Sequence, residues 1–356
     1  MTPSNHDVGL SRFAIVTALA ALLLICVGGL VTSHGAGMAV PDWPTTYGHN
    51  MFLFPISQWT GGIFYEHSHR LIASGVGLLT IVLTVWLWLK ETRVWLRWLG
   101  LAALALVIVQ GVFGGLRVTE MMNELGIVHA TLAQLFLVLL CAIALFTSNA
   151  WRRAATSKGT VEDYRSLLRL YAWATGLVLA QLVVAATMRH QHAGLAIPDF
   201  PLAYGKIWPD MDAGAVERYN QMRTEVTALN PITSFQVALQ MAHRWMAVVI
   251  LIVVGIAAAA TRRRLGRGGG RLTTLTLVWL VLIAAQIGLG AATIWTNKSA
   301  EIATLHVAVG SLALVAGAML ILLAKRDGVL AAASASPDGL PGVRAPISQS
   351  PAGLPA

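Results

Sequence analysis

Two things are scarce in this chain: charge and cysteine. Charged residues make up 12% of its 356 positions, against about a quarter in an ordinary soluble domain, while 56% are hydrophobic. That balance excludes a water-soluble globular protein. The only two cysteines, Cys26 and Cys141, both fall inside apolar runs. Their position argues against a disulfide or a cysteine-rich metal site, and two packing thiols are the simple reading. Acidic residues number 16 against 25 lysines and arginines, a net charge of +9. Such an excess can mark nucleic-acid binding, but its distribution along this chain points to a membrane instead.

What is present is apolar length. Eight runs, at about 12–33, 68–89, 94–116, 125–147, 167–188, 239–260, 272–294 and 302–324, reach the roughly 20 residues a helix needs to cross a bilayer. Backbone polar groups in lipid must be satisfied within each segment, so the predicted fold is an all-α integral membrane bundle of eight transmembrane helices. Arg12; Lys90, Arg93 and Arg97; Arg152, Arg153, Lys158 and Arg165; Arg262, Arg263, Arg264, Arg267 and Arg271; and Lys325 with Arg326 cluster at alternate ends of these runs. Positive-inside bias then places both termini in the cytoplasm of a cell membrane protein, surrounded by lipid, and excludes nucleic acid as partner. The first run reads as a retained helix, not a signal peptide, since it has no convincing cleavage site and further spans follow.

The chain also repeats itself. Gly37–Gly48 (GMAVPDWPTTYG) and Gly194–Gly205 (GLAIPDFPLAYG) agree at seven of twelve positions. The correspondence continues through His69-Arg70 and His243-Arg244, Gln110 and Gln286, and His129 and His306. Two parallel four-helix-bundle repeats follow. The N-terminal unit covers 8–150, a cytoplasmic linker 151–162, the C-terminal unit 163–327, and an Ala-, Pro-, Ser- and Gly-rich tail, 328–356, reads as disordered. Parallel repeats with an even number of spans argue modestly against the inverted repeats many transporters use. The PDWP and PDFP segments read as tight turns packed over the bundle mouth, with Trp43 and Phe200 at the interface. A direct ligand role for Asp42 or Asp199 is the lesser alternative. The longer second loop, Met211 to Leu229, reads as a short amphipathic cap.

The chemistry concentrates in Tyr65-Glu66-His67-Ser68-His69-Arg70, which sets an acid, two imidazoles and a guanidinium before an apolar run. Ionisable groups at a membrane span are costly and by default mark a site. His69 and His129 open the second and fourth runs, 60 residues apart, and His243 and His306 open the sixth and eighth, 63 apart. Each pair returns to one outer level. Two neutral imidazoles from separate helices suit axial ligation of a haem iron, with proton relay or packing as alternatives. Zinc would call for a closed ligand set, which does not repeat. Glu66 shares a helix face with His69 and Arg70. It reads either as a Glu-Arg cap on the helix start or as an acid poised beside the metal. Gln240 at the matching place in the second unit favours the latter. His67 points away from His69, and His34, His190 and His192 fall in outer loops, where solvated residues outrank a stray copper or zinc site.

EHSHR, VHATLAQL around His129, His243-Arg244, TLHVAVG around His306 and the GGLVT segment Gly28–Thr32 together resemble the haem A synthase family over about 8–327. The resemblance implies a membrane oxidoreductase that oxidises the C8 methyl of haem O to a formyl group through hydroxylated intermediates, supplying the haem-copper terminal oxidase. It implies resident haem B at His243 and His306, substrate haem O at His69 and His129, and a functional acid at Glu66. Arg70 and Arg244 become candidate propionate contacts. Haem O synthase and oxidase assembly factors become candidate partners. Many members carry a cysteine pair in the first outer loop where this chain has Val40 and Thr46, so chemistry that needs those thiols is in doubt here. A di-haem cytochrome for quinol-linked electron transfer and a non-enzymatic haem carrier are the readings from other classes.

Overall fold

A computed structural model describes residues 7–152, 159–223, 231–266 and 270–335. It is helical, with eight helices long and apolar enough to cross a membrane. These are α1 (Val8–Ser33), α2 (Gly61–Lys90), α3 (Val94–Thr119), α4 (Asn123–Thr147), α6 (Val161–His190), α8 (Ser234–Leu265), α9 (Gly270–Trp295) and α10 (Ala300–Ala335). Two short helices, α5 (Asn149–Arg152) and α7 (Ala213–Met222), lie in the connections. The protein is a multi-pass membrane protein.

The helices outrun the apolar runs that announce them. α2 begins at Gly61, α8 at Ser234 and α10 continues to Ala335. Hydropathy marks only the part of a helix inside hydrocarbon, whereas backbone hydrogen bonding continues into the polar layer. Glu66, His69 and His243 therefore sit within their helices, not at the start. The expected tail likewise begins with helix over 328–335, and its remainder lies outside the described residues, as do Arg153, Lys158 and Arg267. α6 starts within the expected linker, at a Thr160–Asp163 capping box, and Thr233–Gln236 starts α8 the same way. Each box satisfies two end groups that would otherwise lack partners.

Packing divides into two closed rings. α1 packs on α2 and α4, and α3 packs between α2 and α4; α6 packs on α8 and α10, and α9 between α8 and α10. One core contains Leu10, Ala14, Leu83, Leu87, Leu96 and Leu140, and the other Tyr171, Val254, Trp279 and Leu320. Small residues bring backbones close, as helix association in lipid requires. At Gly100 the Thr84 hydroxyl of α2 donates to the α3 carbonyl at 2.9 Å. In the other ring the Tyr171 hydroxyl meets Thr261 at 2.6 Å across α6 and α8. The rings join where α1 meets α10 and α4 meets both α6 and α10. Leu78, Val85, Ile108, Ile252 and Val281 face outward, where lipid supplies their environment.

Above the second ring the amphipathic segment does form a helix. α7 buries Ala215, Val216 and Tyr219 against Ala196, Ile197, Ile232 and Met241, and Tyr219 stacks on Tyr204 at 3.6 Å. Residues 224–230 of that loop lie outside the described region.

Candidate functional site

The two similar loops close on themselves by the same bonds. Asp42 accepts from the Tyr47 and Gly48 amides at 2.7 and 2.9 Å, and Asp199 from those of Tyr204 and Gly205 at 2.7 and 2.9 Å. Tyr47 and Tyr204 turn through left-handed backbone at φ 49° and 52° and donate their hydroxyls to the Ala39 and Ala196 carbonyls. Burial acts to raise the Asp42 carboxyl, but bonds from the Gly48 amide, Thr45 hydroxyl and Tyr47 amide outweigh it and hold the group below its ordinary value. Both acids are thus engaged by their own loops. Trp43 lies against Gly115 of α3, while Phe200 lies beneath the Arg244 guanidinium, 5.6 Å away.

One helix side chain fastens each loop. Glu66 is 4% exposed; its Oε2 accepts the Val40 amide at 2.8 Å and its Oε1 accepts Arg70 at 2.9 Å. Gln240 repeats the first contact, accepting the Ile197 amide at 2.7 Å, and its amide nitrogen donates to the Gly194 and Ile197 carbonyls. Arg70 also donates to the carbonyls of Val40, Asp42 and Thr45 at 2.8, 2.6 and 3.0 Å. Arg244 donates to those of Asp199 and Leu202 at 2.7 and 2.8 Å, with Ile197 at 3.5 Å. Both arginines act here as clamps on loop carbonyls. Glu66 caps no helix end; it ties loop to helix, and Gln240 does so without charge.

The four histidines are half-buried, one on each of α2, α4, α8 and α10, and the Nδ1 atom of each is buried without a hydrogen-bond partner. The ring centroids of His243 and His306 are 6.4 Å apart. A metal bonded at about 2.0–2.1 Å to one nitrogen of each of two opposed imidazoles would separate their centroids by roughly 6.3 Å. The spacing of this pair matches that separation. Glycines flank the rings. A Cβ at Gly28 would stand 3.0 Å from Cε1 of His69, at Gly114 3.3 Å from that of His129, and at Gly290 3.4 Å from that of His306. The Gln110 amide donates to the His129 carbonyl at 3.1 Å and the Gln181 amide to the His243 carbonyl at 2.9 Å.

Other histidines do different things. His67 is fully buried beneath the first loop, bonded to Thr46 at 3.2 Å and edged by Phe54 and Trp59. His34 stacks on Tyr65 at 4.0 Å. His190 ends α6 against Gly126 of α4, so it belongs to a helix, and His192 turns through left-handed backbone. Among the described residues, no three His, Cys, Asp or Glu side chains gather as a metal site.

Sequence reasoning missed Arg117 and Arg189, at the loop-side ends of α3 and α6. Arg189 donates to the Gly29 carbonyl and Ser33 hydroxyl of α1 at 2.5 and 2.8 Å, tying one ring to the other. Lys298 lies in the α9–α10 turn, where burial and then the Arg189 charge hold its ammonium below the ordinary value. The signal for these residues was their position: cations at the ends of spans opposite the basic clusters.

Residues 11–318 match the COX15-CtaA family, described as cytochrome oxidase assembly protein. Similar curated proteins include a heme A synthase of Geobacillus kaustophilus, 26% identical over 314 residues, 83% of this chain and 86% of the relative. Another from Shouchella clausii is 29% identical over 220 residues, 58% of this chain and 68% of the relative. A third, from Brucella ovis, is 23% identical over 312 residues, 80% of this chain and 84% of the relative. The chain belongs to the COX15-CtaA family.

Proposed function

From that membership we propose that the protein is a haem A synthase. It receives haem O and oxidises the C8 methyl to a formyl group through hydroxylated intermediates, for terminal oxidase biogenesis. The observation that carries this is the set of four half-buried imidazoles on α2, α4, α8 and α10, each with an unpartnered buried Nδ1. Four imidazoles from four helices, with ring nitrogens left free of protein partners, are available to a common ligand. His69 and His129 take the substrate haem, and His243 and His306 hold a resident haem B. The two units, 8–150 and 163–327, are parallel repeats, with both termini cytoplasmic and the histidine ends facing outward.

Haem B supplies a redox-active iron for electron transfer. The protein's own groups set the rest. Glycines 28, 114 and 290 leave room against the imidazoles and fix how closely the neighbouring helices approach. Glu66, three residues before His69, has both oxygens engaged, by Arg70 and by the Val40 amide. It serves better as a fixed negative pole than as a mobile base, stabilising positive charge that develops at the methyl carbon. Haem O synthase is the natural donor of substrate, and assembly factors of the oxidase are the natural recipients of product.

A second reading, a di-haem cytochrome for quinol-linked electron transfer, draws on Gln240 repeating the loop contact of Glu66, which makes the halves alike there. Expression in cells that make haem O, followed by purification and chromatography of the extracted haems, separates the two. Haem B with haem O, haem A or hydroxylated species supports the synthase, and His243→Ala should remove the haem B. Two haem B per chain and nothing else would favour the cytochrome and sink the synthase reading.

A further inference from the structure

The two arginines of the His-Arg pairs already have partners. Arg70 binds three loop carbonyls and Glu66, and Arg244 binds the carbonyls of the second loop. A porphyrin with two carboxylate side arms needs cations elsewhere.

Arg117 has none of these ties. Among the described residues it forms no hydrogen bond or ion pair, and its Nε is buried without an acceptor. Its guanidinium lies over Gly37, where an added Cβ would stand 2.8 Å from Nη2; only glycine leaves that space to the cation. It lies one turn after Gly114 on the same face of α3, and a Cβ at Gly114 would stand 3.3 Å from the His129 ring, so Arg117 lies toward the first imidazole pair. Arg189 reaches the same site from α6: it donates to the Gly29 carbonyl, beside Gly28, where an added Cβ would stand 3.0 Å from the His69 ring. Among the described residues the acid that acts on Arg117 is Glu66, which Arg70 already binds. An unpaired arginine on a membrane helix is costly, and a second cation at the same site adds to that cost. Such an arrangement persists where an anion completes it.

We propose that Arg117 anchors a carboxylate side arm of the porphyrin held at His69 and His129, with Arg189 beside it as a second fixed positive charge. The inference rests on the haem-binding reading above and adds how the first site recognises and orients its substrate. Arg189 is strapped to α1 by Gly29 and Ser33, so its charge is fixed before any ligand arrives. An anchored carboxylate edge prevents the macrocycle from rotating about the axis through the two imidazoles. The carboxylate edge would then lie on the same side of the pocket in every molecule bound, leaving the choice between the ring's two faces to its other substituents.

The test is titration of the purified full-length protein with haem B and, separately, with haem B dimethyl ester, following the Soret band. The wild type should bind the diacid about tenfold or more tightly than the diester. Arg117→Gln should remove most of that preference while leaving diester affinity unchanged, and Arg117→Lys should keep part of it. Unchanged diester binding shows that the variant is folded. Equal weakening toward both porphyrins would make Arg117 merely structural, and a preference that survives Arg117→Gln would overturn the anchor. Binding of neither porphyrin by the wild type would sink the haem-binding reading together with this one.

Discussion

The first loop is fastened by Glu66 and the second by Gln240, and the difference separates what the position does for the fold from what it can do for chemistry. Both side chains accept the amide of the loop residue before the proline, at 2.8 and 2.7 Å. The loop contact therefore needs an oxygen and not a charge. The charge adds a buried ion pair with Arg70, whose side chain is 9% exposed against 5% for Glu66. Buried ion pairs are poor stabilisers relative to neutral groups of similar shape, so stability alone gives little reason for the acid. Arg117, which forms no hydrogen bond or ion pair among the described residues, lies in the same half as the acid.

The largest effect should come from breaking that comparison at its centre. Glu66→Ala leaves the Val40 amide and Arg70 without their acceptor. It should abolish haem A formation and destabilise the protein by roughly 3–5 kcal/mol, the usual consequence of removing one partner of a buried pair. Glu66→Gln makes the first half like the second. It should fold, keep its haem B and still lose haem A formation, as read by chromatography of the extracted haems. Normal product from Glu66→Gln would refute a chemical role for the charge.

Next comes the glycine packing. Gly28→Ala places a methyl 3.0 Å from the His69 ring and should tilt it, lowering the oxidation rate per bound haem by roughly tenfold. Gly290→Ala, at an ordinary 3.4 Å from His306, should change haem B content little. Equal effects at both positions would erase the distinction between a substrate site and a cofactor site.

The smallest effect concerns the loops themselves. Asp42 has a folded value below its ordinary 3.8, so it stabilises the first loop at neutral pH. That contribution is complete above 3.8 and is lost as pH falls through the lower folded value. The difference in melting temperature between wild type and Asp42→Asn should accordingly be constant near neutrality and vanish in strong acid. A difference that grows on acidification would show the sign to be wrong.

Much of the molecule was legible from residue order. Apolar runs of spanning length gave the eight long helices, because lipid offers the backbone no alternative to helix. The similarity of GMAVPDWPTTYG and GLAIPDFPLAYG announced two loops that now prove to use the same bonds. Helix ends were less legible: hydropathy stops at the hydrocarbon, and the Thr160 and Thr233 caps lie beyond it. Arg70 and Arg244 invited assignment to a ligand because their sequence neighbours are histidines. Their guanidiniums turn instead to carbonyls far away in the chain, a choice made by where the loops fold back.

The sequence by itself determined a helical membrane protein and the histidines that distinguish it, since both follow from composition and spacing along one chain. Only the tertiary structure decided which charges are free. Arg70 and Arg117 are both arginines at the loop-side ends of spans, but one meets the carbonyls of a loop and the other, among the described residues, meets no partner. A side chain's neutralisation depends on what the remaining helices bring within hydrogen-bonding distance, and residue order does not specify that.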